Sequence, residues 1–295
     1  MKQSLSYYIC LFIIRLKGIK SNFSKDPINL KKVRKGDIHH PKTFFYQKNS
    51  LRRFTISDSS ITEVATSKNS EKLVLFIHGG AFISGPKAHH WNAVKNIAKN
   101  TNHAVWMCDY PKAPESNIED ISRNIDAIYA TAVKKYPTTA ITLLGDSAGG
   151  TLITTLVQRL LAQNCKLPKR IILVSPVMDA TFTNPAINAV DKTDPILSKK
   201  GVFSAKKLCA NDRLKDPIIS PNNGDYHNFP PTFLFLAEND ITYPDQLIAL
   251  QKLQKAKVAV FPIFGYNMPH IWPFLPVMKE ARVALQKIIS ILNQK

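Results

Sequence analysis

The sequence predicts an α/β fold, with a mostly parallel central sheet and helices on both of its faces. Continuous apolar runs such as LVLFIH and RIILVSPV are typical of strands that are buried on both faces. Between these runs lie segments with apolar residues at helical spacing, and such alternation implies parallel strands joined by right-handed crossovers. A chain of 295 residues, 44% of them hydrophobic, can bury one large core. We therefore expect a single domain over residues 1–295.

The N-terminal segment precedes this alternation. Leu5 to Ile14 is apolar, but it is shorter than the roughly 20 residues that a membrane span needs. One lysine precedes it, no small-residue cleavage site follows, and basic residues come at once, which argues against a signal peptide. Three interpretations stay open. Residues 1–40 form a cap over the mouth of a site, which we favour, or residues 1–22 attach a cytoplasmic protein peripherally to a membrane. The third is that residues 1–22 act as a signal.

The first half of the α/β alternation opens with two alternating stretches, LRRFTISD and ITEVATSK, which predict an antiparallel strand pair. The predicted strands LVLFIH, AVWMCDY and AITLLG come next. Predicted helices separate or follow them, with the sequences NAVKNIAKN, NIEDISRNIDAIYATAVKKY and TLITTLVQRLLAQ.

The second half is interrupted after the strand RIILVSPV. Residues 178–231 break into prolines, charges and short helical pieces, and a long irregular insertion in a compact domain is typically a lid. We therefore predict a cap insertion there. The alternation resumes with the strand TFLFLA, the helix PDQLIALQKLQKA, the strand VAVFPIF and a final helix from about Val277 to Asn293.

A candidate nucleophile lies in the segment Gly145-Asp146-Ser147-Ala148-Gly149-Gly150, between a predicted strand and a predicted helix. The segment fits the nucleophile-elbow pattern G-x-S-x-G, a sharp turn that lifts a serine hydroxyl above the end of a parallel sheet. Its glycines remove side chains where strand, turn and helix pack closely. Ser147 is therefore the candidate nucleophile.

The partners of this serine follow from chain order. A serine hydroxyl becomes a good nucleophile when an imidazole takes its proton and a carboxylate orients that imidazole. With an elbow of this kind, the acid and then the histidine follow on later loops at the carboxyl ends of strands. His270 is the last histidine and follows the last strand. Among Glu238, Asp240 and Asp245 we prefer Asp240, because Asp245 fits the first turn of the next helix.

A glycine pair follows the strand LVLFIH, in His78-Gly79-Gly80-Ala81-Phe82. Such a pair lets backbone N–H groups point into open space, as an oxyanion hole requires, although a tight turn is equally compatible. His89, His90, Trp91 and Phe82 are candidates to line a substrate pocket, with packing roles as the alternative.

Composition limits the partners. The net charge of +19 means that nucleic acid and an anionic membrane surface must be considered as binding partners. We expect no nucleic acid, because the basic residues are spread along the chain and no helix-turn-helix pattern appears. The densest basic region runs from Lys17 to Arg53, which leaves weak attraction to an anionic membrane surface open. The four cysteines lie far apart, so we expect neither a disulfide framework nor a structural metal.

Together these motifs resemble the hormone-sensitive lipase family of α/β-hydrolase esterases, from about Leu73 to the C-terminus. HGGAF resembles the oxyanion motif of that family, GDSAGG its nucleophile elbow, and DYPKAPE its D-Y-x-x-A-P-E loop. SPVMD and DPIL are further similarities. Two departures are Ala81, where the family's third glycine would stand, and Pro111-Lys112, where the family commonly has Arg-Leu.

The resemblance implies an α/β-hydrolase fold and a serine carboxylesterase acting on short- to medium-chain acyl esters, including acetyl esters. It implies that Ser147 attacks the ester and that His270 transfers the proton while Asp240 orients it. The oxyanion would be held by the N–H groups of Gly80, Ala81 and Ala148. Gly79, Phe82 and Trp91 are the predicted substrate-binding residues. No cofactor or metal is implied. A membrane-surface lipase and a non-catalytic ligand-binding protein remain alternatives, and the sequence leaves the oligomeric state open.

Overall fold

The computed structural model describes residues 3–41, 51–67 and 70–294. An eight-stranded sheet has the order β1-β2-β4-β3-β5-β6-β7-β8. Its strands are β1 Leu51–Ile56, β2 Ser59–Val64, β3 Lys72–Ile77, β4 His103–Asp109, β5 Ile141–Asp146, β6 Arg170–Val174, β7 Thr232–Asn239 and β8 Val260–Pro269. β2 pairs antiparallel with β1 and β4, and all other pairs are parallel. The predicted α/β class and the antiparallel pair are confirmed.

Ten α-helices accompany these strands in the described ranges. They are α1 Leu5–Leu16, α2 Ile19–Asn22, α3 Leu30–Arg34, α4 Ala88–Asn100, α5 Ile118–Lys135, α6 Ala148–Ala162, α7 Ile187–Val190, α8 Lys199–Ala210, α9 Tyr243–Lys255 and α10 Lys279–Asn293. Short 3-10 turns cover Thr138–Ala140, Pro221–Asn223 and Trp272–Phe274. The final helix begins at Lys279, two residues later than predicted, because Val277 and Met278 still belong to the preceding loop.

The core has two halves, one on each face of the sheet. Successive strand residues point to opposite faces, so Leu73 and Leu75 belong to one half while Val74 and Phe76 belong to the other. Helices α5, α6 and α9 cover the first face, and α1, α4 and α10 contribute to the second. Because both faces are covered, the central strands are apolar throughout, which is the pattern that predicted them.

Helix α1 docks on the body of the protein through its N-terminal cap. The side chain of Ser4 accepts a hydrogen bond from Tyr7 N, and Ser4 N donates to Glu280 Oε1 at 2.7 Å. Tyr7 and Ile14 are buried by the packing of α1 against the second half of the core. Within the described ranges, every helix is too short or too polar to cross a bilayer.

Candidate active site

Ser147 lies at the turn between β5 and α6. β5 ends at Asp146 and α6 begins at Ala148, so the reversal is made at this one residue, with φ 50° and ψ −121°. A non-glycine residue in this left-handed region is strained, and such strain is typical of functional sites. Just after the turn, the backbone of Gly149 packs directly against the neighbouring strand, and only a residue without a Cβ fits there. A Cβ at Gly149 would lie 1.9 Å from the carbonyl oxygen of Ile77.

The predicted acid and base meet on the loops after the next two strands. Asp240 directly follows β7 and His270 directly follows β8, and both side chains are buried. His270 Nδ1 lies 2.7 Å from Asp240 Oδ2, and Asp240 Oδ1 accepts a hydrogen bond from Thr242 N at 2.9 Å. A carboxylate only accepts hydrogen bonds, so Nδ1 carries the proton and Nε2 of the neutral ring is free to accept one.

The two other candidate acids are engaged elsewhere. Glu238 accepts a hydrogen bond from Asn267 N at 2.7 Å, and Asp245 accepts one from the side-chain amide of Asn184 at 2.8 Å. Asp240 is therefore the candidate acid that contacts His270.

The charge balance around His270 favours its protonated form. Burial lowers the pKa of His270, but the charge and hydrogen bond of Asp240 outweigh it, so the pKa lies above its usual value of 6.5. A second buried carboxylate, Asp194, accepts a hydrogen bond from Ile241 N, next to Asp240. Burial and the charge of Asp240 raise the pKa of Asp194 to about 7. Sequence reasoning noted the DPIL motif of Asp194 but assigned it no role.

The glycine pair forms a tight loop facing Ser147. Gly80 has φ 123°, and a Cβ there would lie 2.1 Å from the carbonyl oxygen of Ser84. Ala81 follows with φ 55°. In the described part of the chain, no acceptor is recorded for the N–H groups of Gly80, Ala81 or Ala148.

A buried histidine and aspartate support this loop. Asp146 Oδ1 accepts a hydrogen bond from Gly79 N at 3.1 Å, and its Oδ2 lies 3.2 Å from His90 Nε2. His90 Nδ1 accepts a hydrogen bond from Lys87 N at 2.9 Å, so Nε2 must carry the ring proton and donate it to Asp146. The sequence analysis named His90 only as a candidate pocket residue and did not pair it with Asp146, the aspartate of GDSAGG.

Three carboxylate and imidazole groups here satisfy the spacing of a metal site. The ligand atoms of His89, His90 and Asp146 lie within 4.8 Å of one another. Both ring nitrogens of His90 are already engaged in the hydrogen bonds just described. A neutral His90 therefore has no lone pair left for a metal ion, and the cluster is better suited to hold the glycine loop.

The structure places the three predicted substrate-binding residues outside the cavity at Ser147. Gly79 is held by its bond to Asp146. Phe82 is fully buried, because its left-handed conformation, φ 68°, directs the ring into the core. Trp91 is buried and donates from Nε1 to the carbonyl oxygen of Ile38 at 2.7 Å. His89 and His90, by contrast, line the cavity.

Ser147 and His270 open into the same cavity, which has a volume of about 210 Å³. The described contacts include no hydrogen bond between the Ser147 hydroxyl and His270, and catalytic hydrogen bonds are often long in the absence of substrate. Most of the remaining cavity lining is apolar. This part of the lining consists of Ile14, Ile19, Phe23, Val177, Ile196, Leu197, Val202, Lys206, Ile271 and Leu275.

Ser147 follows β5, Asp240 follows β7 and His270 follows β8. This chain order of nucleophile, acid and histidine at the ends of parallel strands is typical of α/β-hydrolases. This chain belongs to that family: residues 74–274 match a family model described as the alpha/beta hydrolase fold. An esterase from Acinetobacter venetianus is 30% identical over 230 residues, which cover 77% of this chain and 76% of the relative. An acetyl-hydrolase from Streptomyces hygroscopicus is 23% identical over 235 residues, covering 79% of each.

Solved structures agree with the fold. The crystal structure of an esterase from the bacterial hormone-sensitive lipase family has a TM-score of 0.83 and 20% sequence identity, and the match covers 99% of this chain and 98% of that one. At this identity the likeness supports the fold alone. Together with the family match and the esterase relative, it confirms the resemblance to esterases and lipases of this type.

Proposed function

We propose that this protein is a serine carboxylesterase that hydrolyses short- to medium-chain acyl esters, including acetyl esters, through an acyl-enzyme on Ser147. The observation that carries the proposal is the buried His270–Asp240 pair, 2.7 Å between Nδ1 and Oδ2, at the cavity into which Ser147 opens. The relatives named an esterase and an acetyl-hydrolase support the same reaction class.

In the proposed mechanism, His270 Nε2 accepts the hydroxyl proton of Ser147 as the serine oxygen attacks the ester carbonyl. Asp240 holds the proton on Nδ1 and stabilises the imidazolium. The N–H groups of Gly80, Ala81 and Ala148 stabilise the oxyanion. His270 then protonates the leaving alcohol. A water molecule, deprotonated by His270, hydrolyses the acyl-enzyme and regenerates the serine.

The cap is part of this proposal. Residues of the N-terminal segment 1–40 and of the insertion 178–231 supply apolar side chains to the cavity lining, with Ile14 and Phe23 from the first and Leu197 and Val202 from the second. We propose that the two segments together cover the site, exclude water from it and limit the length of the acyl chain.

Chain-length preference tests the proposed function directly. The cavity volume of about 210 Å³ is below the range of about 300–1,000 Å³ that is usual for drug-sized ligands. Across p-nitrophenyl esters from acetate to palmitate, kcat/KM should therefore peak between acetate and hexanoate. It should fall at least about tenfold at palmitate, because an acyl chain longer than the cavity can bind only by displacing the side chains that line it, and this overpacking costs free energy.

A cavity-enlarging variant is the matched control for this series. Leu197→Ala should move the optimum towards longer chains, whereas Leu247→Ala, outside the cavity lining, should leave it in place. A wild-type optimum at palmitate would contradict the proposed size limit, and absence of hydrolysis for every ester would contradict the esterase itself.

One observation favours a second property, association of this esterase with an anionic membrane surface. The face of α1 that points away from the core is apolar and exposed. It consists of Leu5, Tyr8, Ile9, Phe12 and Leu16. Arg15 and Lys17 lie beside it in sequence, and the whole chain carries a net charge of +19. An apolar stripe with adjacent basic residues is typical of helices that lie in the interface of anionic bilayers.

Vesicle binding tests this property without opening the cavity. Phe12→Ser should weaken binding to phosphatidylserine-containing vesicles about tenfold or more, because one exposed aromatic ring loses its burial in lipid. Val133→Ser, on α5, is the matched control and should bind like wild type. Binding should also weaken at high salt. Failure of the wild type to bind these vesicles at low salt would contradict the membrane proposal and leave the esterase untouched.

A further inference from the structure

Helix α8 places an unpaired lysine at the cavity of Ser147. Lys206 is completely buried, and its Nζ has no hydrogen-bond partner in the described structure. Nζ lies 3.9 Å from the ring centroid of Phe82, and Lys206 is one of the residues that line the cavity. Fully buried lysines are rare unless they are paired, so this position requires an explanation.

Lys87, the other lysine in the cavity lining, is paired, unlike Lys206. Lys87 Nζ lies 2.9 Å from Asp37 Oδ1 and 2.8 Å from the carbonyl oxygen of Val33. Lys206 has no such neighbours within residues 3–41, 51–67 and 70–294. The ionisable group that acts on it most is Cys209, and burial raises the pKa of that thiol to about 12, so it is neutral. Burial also lowers the pKa of Lys206 to about 7, and the face of Phe82 compensates only part of the lost solvation.

The remaining polar groups of the cavity cannot serve as the counter-charge of Lys206. Asp146 is held by Gly79 N and His90, as described above. Asp240, behind the cavity wall, is held by His270 and Thr242 N. Among the described residues, Lys206 therefore brings to the cavity a side-chain amine without a hydrogen-bond partner. The other unpaired polar groups of the lining belong to the glycine loop, Ser147 and His270, which the proposed mechanism already uses.

We infer that Lys206 is a specificity residue that binds a carboxylate carried by the ester substrate. This inference rests on the proposed esterase function and narrows its substrate class to small anionic esters, such as half-esters of short dicarboxylic acids. A carboxylate next to Nζ would supply the missing counter-charge and form a charge-assisted hydrogen bond. A neutral ester would leave the Lys206 amine buried and without a partner.

The test compares esters that differ in charge but little in size. The acyl-side pair is p-nitrophenyl hemiglutarate and p-nitrophenyl pentanoate, and the alcohol-side pair is acetoxyacetate and ethyl acetate. Wild-type kcat/KM should favour the anionic member of one pair by about 10- to 100-fold, the range expected for a hydrogen bond to a charged group. The pair that shows the preference identifies the side of the ester that carries the carboxylate.

Two variants of α8 assign the preference to Lys206. Lys206→Met replaces the amine by an apolar side chain of similar length, and the anionic-to-neutral ratio should fall to about 1 or below because the counter-charge is gone. Lys200→Met, which removes an exposed charge from the same helix, should retain the wild-type ratio. A wild-type ratio near 1 in both pairs, or an unchanged ratio in Lys206→Met, would overturn the inference.

A binding measurement separates this inference from the proposed function. Calorimetry of glutarate with the Ser147→Ala variant needs no turnover, and binding should be lost when Lys206→Met is added. If wild type hydrolyses none of the esters, the esterase proposal fails, while glutarate binding still decides the role of Lys206. If the Lys206→Met protein does not fold, saturable glutarate binding by Ser147→Ala, with pentanamide as the uncharged control, decides it. Equal binding of the two would overturn the inference.

Discussion

Replacing Ser147 by alanine is expected to lower kcat for p-nitrophenyl butyrate by about five to six orders of magnitude, the loss measured for nucleophiles of this kind. The substitution removes the oxygen that would form the acyl-enzyme in the proposed mechanism, and it leaves the His270–Asp240 pair and the glycine loop in place. Ester binding should persist. The measurement is the initial rate of p-nitrophenol release, with the pre-steady-state burst as the sign of an acyl-enzyme.

A buried serine outside the cavity supplies the matched control. Ser122 on α5 is buried and its hydroxyl has no hydrogen-bond partner among the described residues, so Ser122→Ala should retain wild-type activity and stability. If Ser147→Ala turned over the ester at the wild-type rate, Ser147 would not be the nucleophile. A wild type that binds esters without hydrolysing them would instead favour a ligand-binding protein on this fold.

Asp240→Asn should reduce kcat about 10⁴-fold, because the amide can present its N–H₂ to Nδ1 and stabilise the wrong tautomer of His270. The pH dependence should change as well. His270 accepts a proton only when neutral, so wild-type kcat/KM should rise with pH through an apparent pKa above 6.5. The negative charge of Asp240 raises that pKa. Its removal should therefore shift the acid limb of the residual activity to lower pH.

Asp245→Asn is the control that separates the two acids. Asp245 is also buried near the start of α9, and burial raises its pKa to about 6, but its carboxylate contacts Asn184 and not His270. This variant should keep the wild-type acid limb, and its kcat should stay within about threefold of wild type because it lies outside the charge network of the base. The reverse outcome, with Asp245→Asn inactive and Asp240→Asn active, would show that the acid had been misassigned.

Chain order was sufficient to predict the Asp240–His270 contact. Parallel strands with right-handed crossovers place their carboxyl ends on one edge of the sheet, so residues just after β7 and β8 must lie close together. Periodicity also located most strands and helices. It did not predict where Phe82 points, because Ala81 and Phe82 adopt left-handed conformations in which neither helical nor strand periodicity applies.

Lys206 and Asp194 could not have been assigned from the sequence. Both lie in the irregular segment 178–231, where no periodicity marks a buried face. A lysine in a basic chain is expected to be solvated, and its burial here results from the packing of α8 against distant parts of the chain. One such contact is a hydrogen bond from Ile28 N to the side chain of Ser204, 176 positions apart. Burial of this kind depends on tertiary structure, which local patterns do not encode.

The hydrogen bond from Ser4 N to the Glu280 carboxylate also has a consequence for folding during synthesis. The two residues are 276 positions apart, so α1 leaves the ribosome long before its docking partner α10 has been synthesised. At about 5–20 residues per second, that interval lasts tens of seconds. During this time α1 exposes two apolar faces on the nascent chain, one that later docks on the body and one that remains exposed. The docking of α1 on α10 is therefore one of the last steps in the folding of this protein.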